Sequence, residues 1–200
     1  RIQEQRLAQV QSVLENFQKQ NDALKAEHAE LIARLDEARK QGVTDPSLLA
    51  MLDYVTIMDG TQAVQGPGIQ LTIDDRPKDH KVMFTITPDD LNRIVNTLKF
   101  AGAEAISING QRIVSTTNIV YSGGSTILVN QVPITRVEGV PYEILAIGDQ
   151  NTLVDYVTNL EARNLKELGM SVSISRKTVT IPSYKGGYNF KEAVSVESPS

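Results

Sequence analysis

The feature that most constrains this chain is a seven-residue repeat near its start. Apolar residues recur in 4–3 alternation at Leu7, Val10, Leu14, Phe17, Leu24, Leu31, Leu35 and Ala38, with Asn21 and His28 filling the two remaining places. Neither glycine nor proline interrupts the series. A repeat sustained over five heptads predicts a coiled coil, and a strict 3.5-residue period demands a partner helix along the seam. The other reading is one long amphipathic helix lying on its own domain, which Val13 and Ile32 favour by widening the stripe. Asn21 falls at an a position, where a buried amide fixes register and favours a parallel dimer at a cost in stability. His28 is the next a residue. Arg34 would face Arg39 of a parallel twin, a repulsive pair, so a different partner helix also suits these flanks. At 1.5 Å per residue the rod would be about 55 Å long, the length of a spacer.

The expected division is a coiled-coil stalk over 1–41, a connecting helix and linker over 42–65, a folded domain over 66–182 and a loose tail over 183–200. Gly42 ends the rod. Thr44 and Pro46 mark a new helix start, and Asp59-Gly60 its end. Ile69–Ile73 alternates as a half-buried strand. Thr87-Pro88-Asp89-Asp90 opens a helix with a hydroxyl cap, an early proline and first-turn acids, and Leu91, Ile94, Val95 and Leu98 line one face of it. Ile106–Ile108 is a strand, Asn109-Gly110 a hairpin turn, and Arg112 to Tyr121 the return strand. Ile127–Val129 and Tyr142–Ile147 are further strands. Asp149 caps a last helix with Leu153, Val157, Leu160, Leu165 and Leu168 inward. Two short strands, Ser171–Ser175 and Thr178–Ile181, complete the domain. Few helices and many hairpins predict an α+β sandwich with a mostly antiparallel sheet, in a ferredoxin-like arrangement.

Composition narrows function. With 20 basic and 24 acidic residues the net charge is −4, which argues against a nucleic-acid partner. No cysteine is present, so disulfides, thiolate nucleophiles and cysteine metal sites are excluded. No stretch of about 18 apolar residues spans a bilayer. The chain opens at Arg1 inside the helical pattern, which predicts an upstream signal or anchor helix.

Catalysis has little to draw on. His28 sits in the seam and His80 in a polar loop beside Asp79. The pairs Asp74-Asp75 and Asp89-Asp90 lack calcium-loop spacing, and the second is explained by the helix dipole. Gly66-Pro67-Gly68 precedes a strand, whereas phosphate cradles open a helix; it predicts a sharp entry into the sheet. No catalytic residue, metal ligand or cofactor is assigned. The residues assigned to a binding surface are Gly66, Gly68, Asp74, Asp75, Asn109 and Arg112, and an exposed strand edge at Ile127–Val129 or Thr178–Ile181 offers a place for a partner strand.

Several motifs in series carry a resemblance. Gly66-Pro67-Gly68-Ile69 leads a strand ending in Asp74-Asp75. Asp89-Asp90-Leu91 precedes Ala101-Gly102-Ala103-Glu104-Ala105-Ile106. Ile108-Asn109-Gly110-Gln111-Arg112-Ile113, Pro141-Tyr142 and Ala146-Ile147-Gly148-Asp149 follow. In this order and spacing they resemble the YlxX/YlxW-like bacterial family of unknown function, the domain numbered 881, over roughly residues 3–190. The resemblance implies a single N-terminal membrane anchor, a coiled coil and an extracytoplasmic domain, with a role in cell division or sporulation. It supplies no catalytic residues. The expectation is a non-catalytic interaction module whose partners are proteins of the division or envelope machinery, with a parallel homodimer through the stalk. Second comes a sensor binding a small ligand and signalling through the coiled coil. Third comes a cell-wall enzyme using Asp74, Asp75 and His80.

Overall fold

The computed structural model describes residues 46–188 except 78, 80, 83, 125 and 135–139, together with Glu15, Lys19, Ala23, Ala26, Glu30, Glu37, Gly42 and Glu192. The chain divides into two units, Arg1–Asp53 and Tyr54–Ser200. In the first, Glu15, Lys19, Ala23, Ala26, Glu30 and Glu37 are helical and exposed. The seam residues Leu7 to Leu35 lie outside the described residues, as does His80. Helix α1 (Pro46–Met58) begins at its proline.

The second unit is mixed α/β and its sheets are antiparallel. Strand β1 (Val64–Asp74) leads to α2 (Pro88–Phe100), β2 (Ala105–Ile108) and β3 (Gln111–Arg112). Strands β4 (Ile119–Tyr121), β5 (Ile127–Val129), β6 (Val132–Ile134) and β7 (Tyr142–Ile147) follow. Helix α3 (Gln150–Val157) runs through a π-helical turn (Thr158–Ala162) into α4 (Arg163–Glu167), and β8 (Ser171–Ile181) ends the series. The main sheet has the order β3-β2-β7-β1-β8, and β4-β5-β6 form a separate three-stranded sheet. The helix-linked strands β1 and β2 are therefore separated by β7, and the helix-linked β7 and β8 are separated by β1.

Strand alternation sorts the side chains into two faces. Ile69, Leu71 and Ile73 of β1, Ile106 and Ile108 of β2, and Ile144 and Ala146 of β7 face the helices. They pack on Leu91, Ile94, Val95 and Leu98 of α2 and on Leu153, Val157 and Leu165. Full burial of each such isoleucine, leucine or valine side chain contributes about 1.5–3 kcal/mol. The other face holds a smaller cluster of Ala105, Ile147, Val179 and Ile181, with Val64 and Leu145 packed against it.

The helix starts are built as their sequences predict. Thr87 Oγ1 accepts from the Asp90 amide at 3.2 Å, and Asp90 Oδ2 accepts from the Thr87 amide at 3.0 Å. Asp149 Oδ1 accepts from the Thr152 amide at 2.8 Å. The hairpin turn places Asn109 at φ 46° and Gly110 at φ 76°, left-handed values that asparagine and glycine tolerate.

Several expectations are corrected. Gly66-Pro67-Gly68 is not an entry into the sheet but part of β1, opposite Val179, Thr178 and Lys177. Proline is tolerated inside this central strand because its missing donor lies toward the β7 side, just past that strand's end, where Gly148 N donates to Pro67 O at 3.0 Å. The return strand stops at Arg112: Thr117 Oγ1 accepts from Val114 N at 2.8 Å, and Thr117 N donates to Val114 O, a local turn that turns the chain away. Ser171–Ser175 and Thr178–Ile181 are one strand, since Arg176-Lys177 contains no turn residue and pairs with Ile69 and Gly68. The π-helical turn shifts the phase of the last helix, so Glu161 and Ala162 are buried while Leu160 and Leu168 are exposed. The tail holds on past Ser183, where Tyr184 N donates to Gly60 O at 2.7 Å and the Tyr188 hydroxyl donates to Asp59 O.

Candidate functional site

The six residues assigned from sequence fall at different places. Gly68 is structural: a Cβ there would lie 2.0 Å from Ala146 O and 2.9 Å from Val179 Cγ2. Gly66 lies at the same end of β1, against Ile147. Asp74 lies at the other end, where its Oδ1 accepts from the Arg76 amide at 2.9 Å. Asp75 is buried, and its Oδ2 accepts from the Ile86 amide at 2.7 Å, which clamps the intervening loop. Asn109 sits at the Asp74 end of the sheet, with Oδ1 accepting from the Glu143 amide at 2.8 Å. Among the described residues no group of three or more histidines or acids converges as a metal site.

Arg112 is a buried tie. Its Nη2 donates to Ile57 O at 3.0 Å, and its Nη1 reaches Gln62 O at 3.4 Å and Pro182 O at 3.5 Å. The guanidinium thus joins the end of α1, the segment before β1 and the residue after β8. Burial lowers its pKa, with Tyr188 and Asp59 opposing that effect. Burial likewise raises the Tyr188 phenol. Gly60 makes room for the tie, because a Cβ there would meet Val114 Cγ1 at 2.6 Å and Arg112 Cγ at 3.3 Å.

A second constellation, absent from the sequence reading, centres on Glu161, which is 2% exposed. Thr97 Oγ1 donates to its Oε1 at 2.7 Å, and Arg93 Nε to its Oε2 at 2.8 Å. Arg93 Nη2 also contacts Asp90 Oδ1 at 3.0 Å. The hydrogen bond to Glu161 raises the Arg93 pKa against the opposing effect of burial. Beside this network lies a shallow groove of about 570 Å³ lined by polar Asp89, Asn92, Arg93 and Asn96 and apolar Phe100 and Leu160. Phe100 is exposed and stacks edge-on with Tyr156 at 5.4 Å between centroids. The signal that would have found the site is an acid at an inward position of an otherwise apolar helix face, and the π-helical turn hid it.

Two surfaces are suited to protein contact. In the small sheet, Ile119, Ile127, Val129 and Ile134 are buried on one face. The other face carries Val120, Leu128 and Pro133, which are direct cross-strand neighbours. Val120 is 45% exposed, Leu128 half-buried and Pro133 exposed. A solvated sheet face ordinarily carries polar residues, so three adjacent apolar side chains mark it out. The second surface is the rim of the main sheet at β8, which pairs with β1 over its full length and forms an edge. Of the two edge candidates from sequence, Thr178–Ile181 is therefore an edge, whereas Ile127–Val129 is the central strand of its sheet.

A family model described as "Bacterial protein of unknown function (DUF881)" matches residues 51–194. This chain belongs to that family. The DUF881 region includes every described element from β1 to β8. Among relatives, the UPF0749 proteins Rv1825 and Rv1823 of Mycobacterium tuberculosis are each 33% identical to it, over 149 and 140 residues; these cover 70% and 62% of this chain and 47% and 44% of theirs. The UPF0749 protein YlxW of Bacillus subtilis is 29% identical over 125 residues, 58% of this chain and 50% of its own. The chain spans about half the length of these curated relatives. A crystal structure of an uncharacterized conserved protein from Mycobacterium tuberculosis matches with a TM-score of 0.57 at 27% identity, covering 73% of this chain and 99% of that one.

Proposed function

We propose that this DUF881 protein is a non-catalytic interaction module of the bacterial envelope. In this reading a coiled-coil stalk over residues 1–41, tethered by an upstream anchor, holds the α/β domain on the extracytoplasmic side, where it contacts division or envelope proteins. The observation that carries the reading is the Val120–Leu128–Pro133 row, an apolar surface presented to solvent on the small sheet, whose opposite face is buried in the main core. The strand order β2-β7-β1-β8, with α2 and α3–α4 as crossovers, supports a ferredoxin-like core into which β3 and the small sheet are inserted between β2 and β7.

The direct test is site-specific photo-crosslinking in the native bacterium. A photoreactive residue at Leu128 is expected to trap a discrete protein adduct, and one at exposed Asn159 to trap none. Equal labelling at both positions, or none at Leu128, refutes the reading. Light scattering of this chain against a version lacking residues 1–41 tests the stalk. A dimer that becomes monomeric on truncation is the expected result.

The second reading, a small-ligand sensor, is favoured by the groove beside Arg93, whose Nη1 has no hydrogen-bond partner among the described residues. A carboxylate or phosphate ligand would raise the melting temperature of the native chain and leave that of Arg93→Ala unchanged.

A further inference from the structure

The rim of the main sheet carries information about what docks there. Strand β8 is eleven residues long and pairs only with β1 among the described residues. Its backbone polarity follows from two contacts. Gln150 Nε2 reaches both Gly68 O at 2.9 Å and Lys177 O at 3.2 Å, so these opposed carbonyls point toward each other across the ladder. Pro67 O, by contrast, accepts from Gly148 N on the far side of β1, so Pro67 and its partner Thr178 turn their polar groups away from each other. By alternation, Val172, Ile174, Arg176, Thr178 and Thr180 direct their N–H and C=O groups outward from the sheet.

Natural edges are guarded by prolines, bulges or inward charges. Here the ladder runs unbroken from Ser171 to Ile181. The strand's only charges are Arg176 and Lys177 at its middle, both exposed, with no acid anywhere in it. The surrounding segment 163–177 holds four basic residues (Arg163, Lys166, Arg176, Lys177) and one acidic residue (Glu167), a net +3 in a chain of net −4. These charges oppose self-pairing. An antiparallel pairing of two β8 strands over their full length centres on Arg176 and sets it against its own copy. They favour a partner of opposite sign, and a row of outward amides and carbonyls selects an extended polypeptide.

We propose that β8 is a strand-addition site for an extended, acidic polypeptide segment of another protein, with Arg176 and Lys177 selecting its charge. This surface is separate from the Val120–Leu128–Pro133 row, so either interaction stands or falls without the other.

The test is fluorescence anisotropy of the full chain with two nine-residue peptides, one alternating glutamate with valine and one alternating lysine with valine. The acidic peptide is expected to bind with a Kd of about 10–100 µM and the basic one at least about tenfold more weakly. Thr178→Pro removes an outward donor at an edge position where proline is tolerated. It is expected to weaken the acidic peptide about tenfold while the melting temperature stays close to that of the native chain. The pair Arg176→Glu and Lys177→Glu leaves the backbone intact and is expected to reverse the preference. It keeps the test decisive even where the proline variant fails to fold. Equal binding of both peptides, no binding below about 1 mM, or reversed charges with unchanged preference overturns the proposal. A dimer in light scattering that Thr178→Pro dissociates would assign the edge to a second copy and overturn it as well.

Discussion

The Glu161 network separates two kinds of interaction that share one carboxylate. Thr97 and Glu161 are both buried, whereas the Arg93 side chain is 49% exposed. The Thr97 hydroxyl bond is thus a charge-assisted hydrogen bond shielded from water, and its loss should cost about 1.5–3 kcal/mol in Thr97→Val. The Arg93 pair is screened by solvent, and water enters the groove when the guanidinium leaves. Arg93→Ala should therefore cost about 0.5–1 kcal/mol. Glu161→Ala removes both bonds, strands the Thr97 hydroxyl and opens a void, for about 3–5 kcal/mol. Glu161→Gln retains an acceptor for Thr97 and should fall between. Urea unfolding of the single and paired variants gives two coupling energies. The Thr97–Glu161 coupling should exceed the Arg93–Glu161 coupling, and only the latter should fall with added salt. An Arg93→Ala cost equal to that of Glu161→Ala, or a neutral Thr97→Val, would refute the assignment of the buried hydroxyl as the stronger partner.

Three further outcomes follow from the geometry. Gly68→Ala drives a Cβ into the Ala146 carbonyl in the middle of the sheet and should destabilise by more than about 4 kcal/mol in urea unfolding; Gly110→Ala, which meets open space at φ 76°, should cost about 1 kcal/mol in the same assay. Arg112→Met keeps the apolar stem but removes the guanidinium bonds to the Ile57, Gln62 and Pro182 carbonyls and leaves Ile57 O only the Gly60 amide, for about 1.5–3 kcal/mol, and hydrogen exchange at the Tyr184 amide should accelerate. The Asp149 carboxyl is held below the usual carboxylate range by the Thr152 amide and hydroxyl. A depressed native pKa adds stability that is present above the unfolded value and lost as pH falls through the native one. The melting-temperature gap between the native chain and Asp149→Ala should therefore be full near neutral pH and narrow only as the pH falls below the ordinary carboxylate range.

What could be read in advance was whatever depends on local rules. The Thr87 capping box, the Asn109-Gly110 turn, the Asp149 cap and the apolar stripe of α2 need only neighbours in sequence, and all are present. The small sheet was only half visible. Its β5–β6 turn is built by Asn130 and Gln131, both at positive φ, and a glutamine gives no turn signal. Strand β6 therefore went unread, and with it the neighbour that makes Ile127–Val129 central. Arg112 was singled out, but as part of a binding surface. Its carbonyl partners at Ile57, Gln62 and Pro182 come from distant positions that only the closed sheet brings together. Glu161 was lost to a single turn of π-helix, which no propensity scale reports. The assigned surface residues did not cluster, because Gly66 and Gly68 serve close packing within β1 while Asp74, Asp75 and Asn109 bond nearby backbone at their own turns and loops.

The pairing of β1 with β8 has a mechanical consequence. Val64 opposes Ile181, so the chain enters and leaves the sheet side by side at one end. Tension applied between those two points would not shear the ladder with all its hydrogen bonds loaded in parallel. It would peel the strands apart like a zipper, one pair at a time, from that end. The first resistance comes from the clasp over it, where the Arg112 guanidinium holds Gln62 and Pro182 and Tyr184 hooks onto Gly60. Any load passed through both ends of this domain therefore falls first on a few hydrogen bonds outside the ladder, and the core feels it only after they give way.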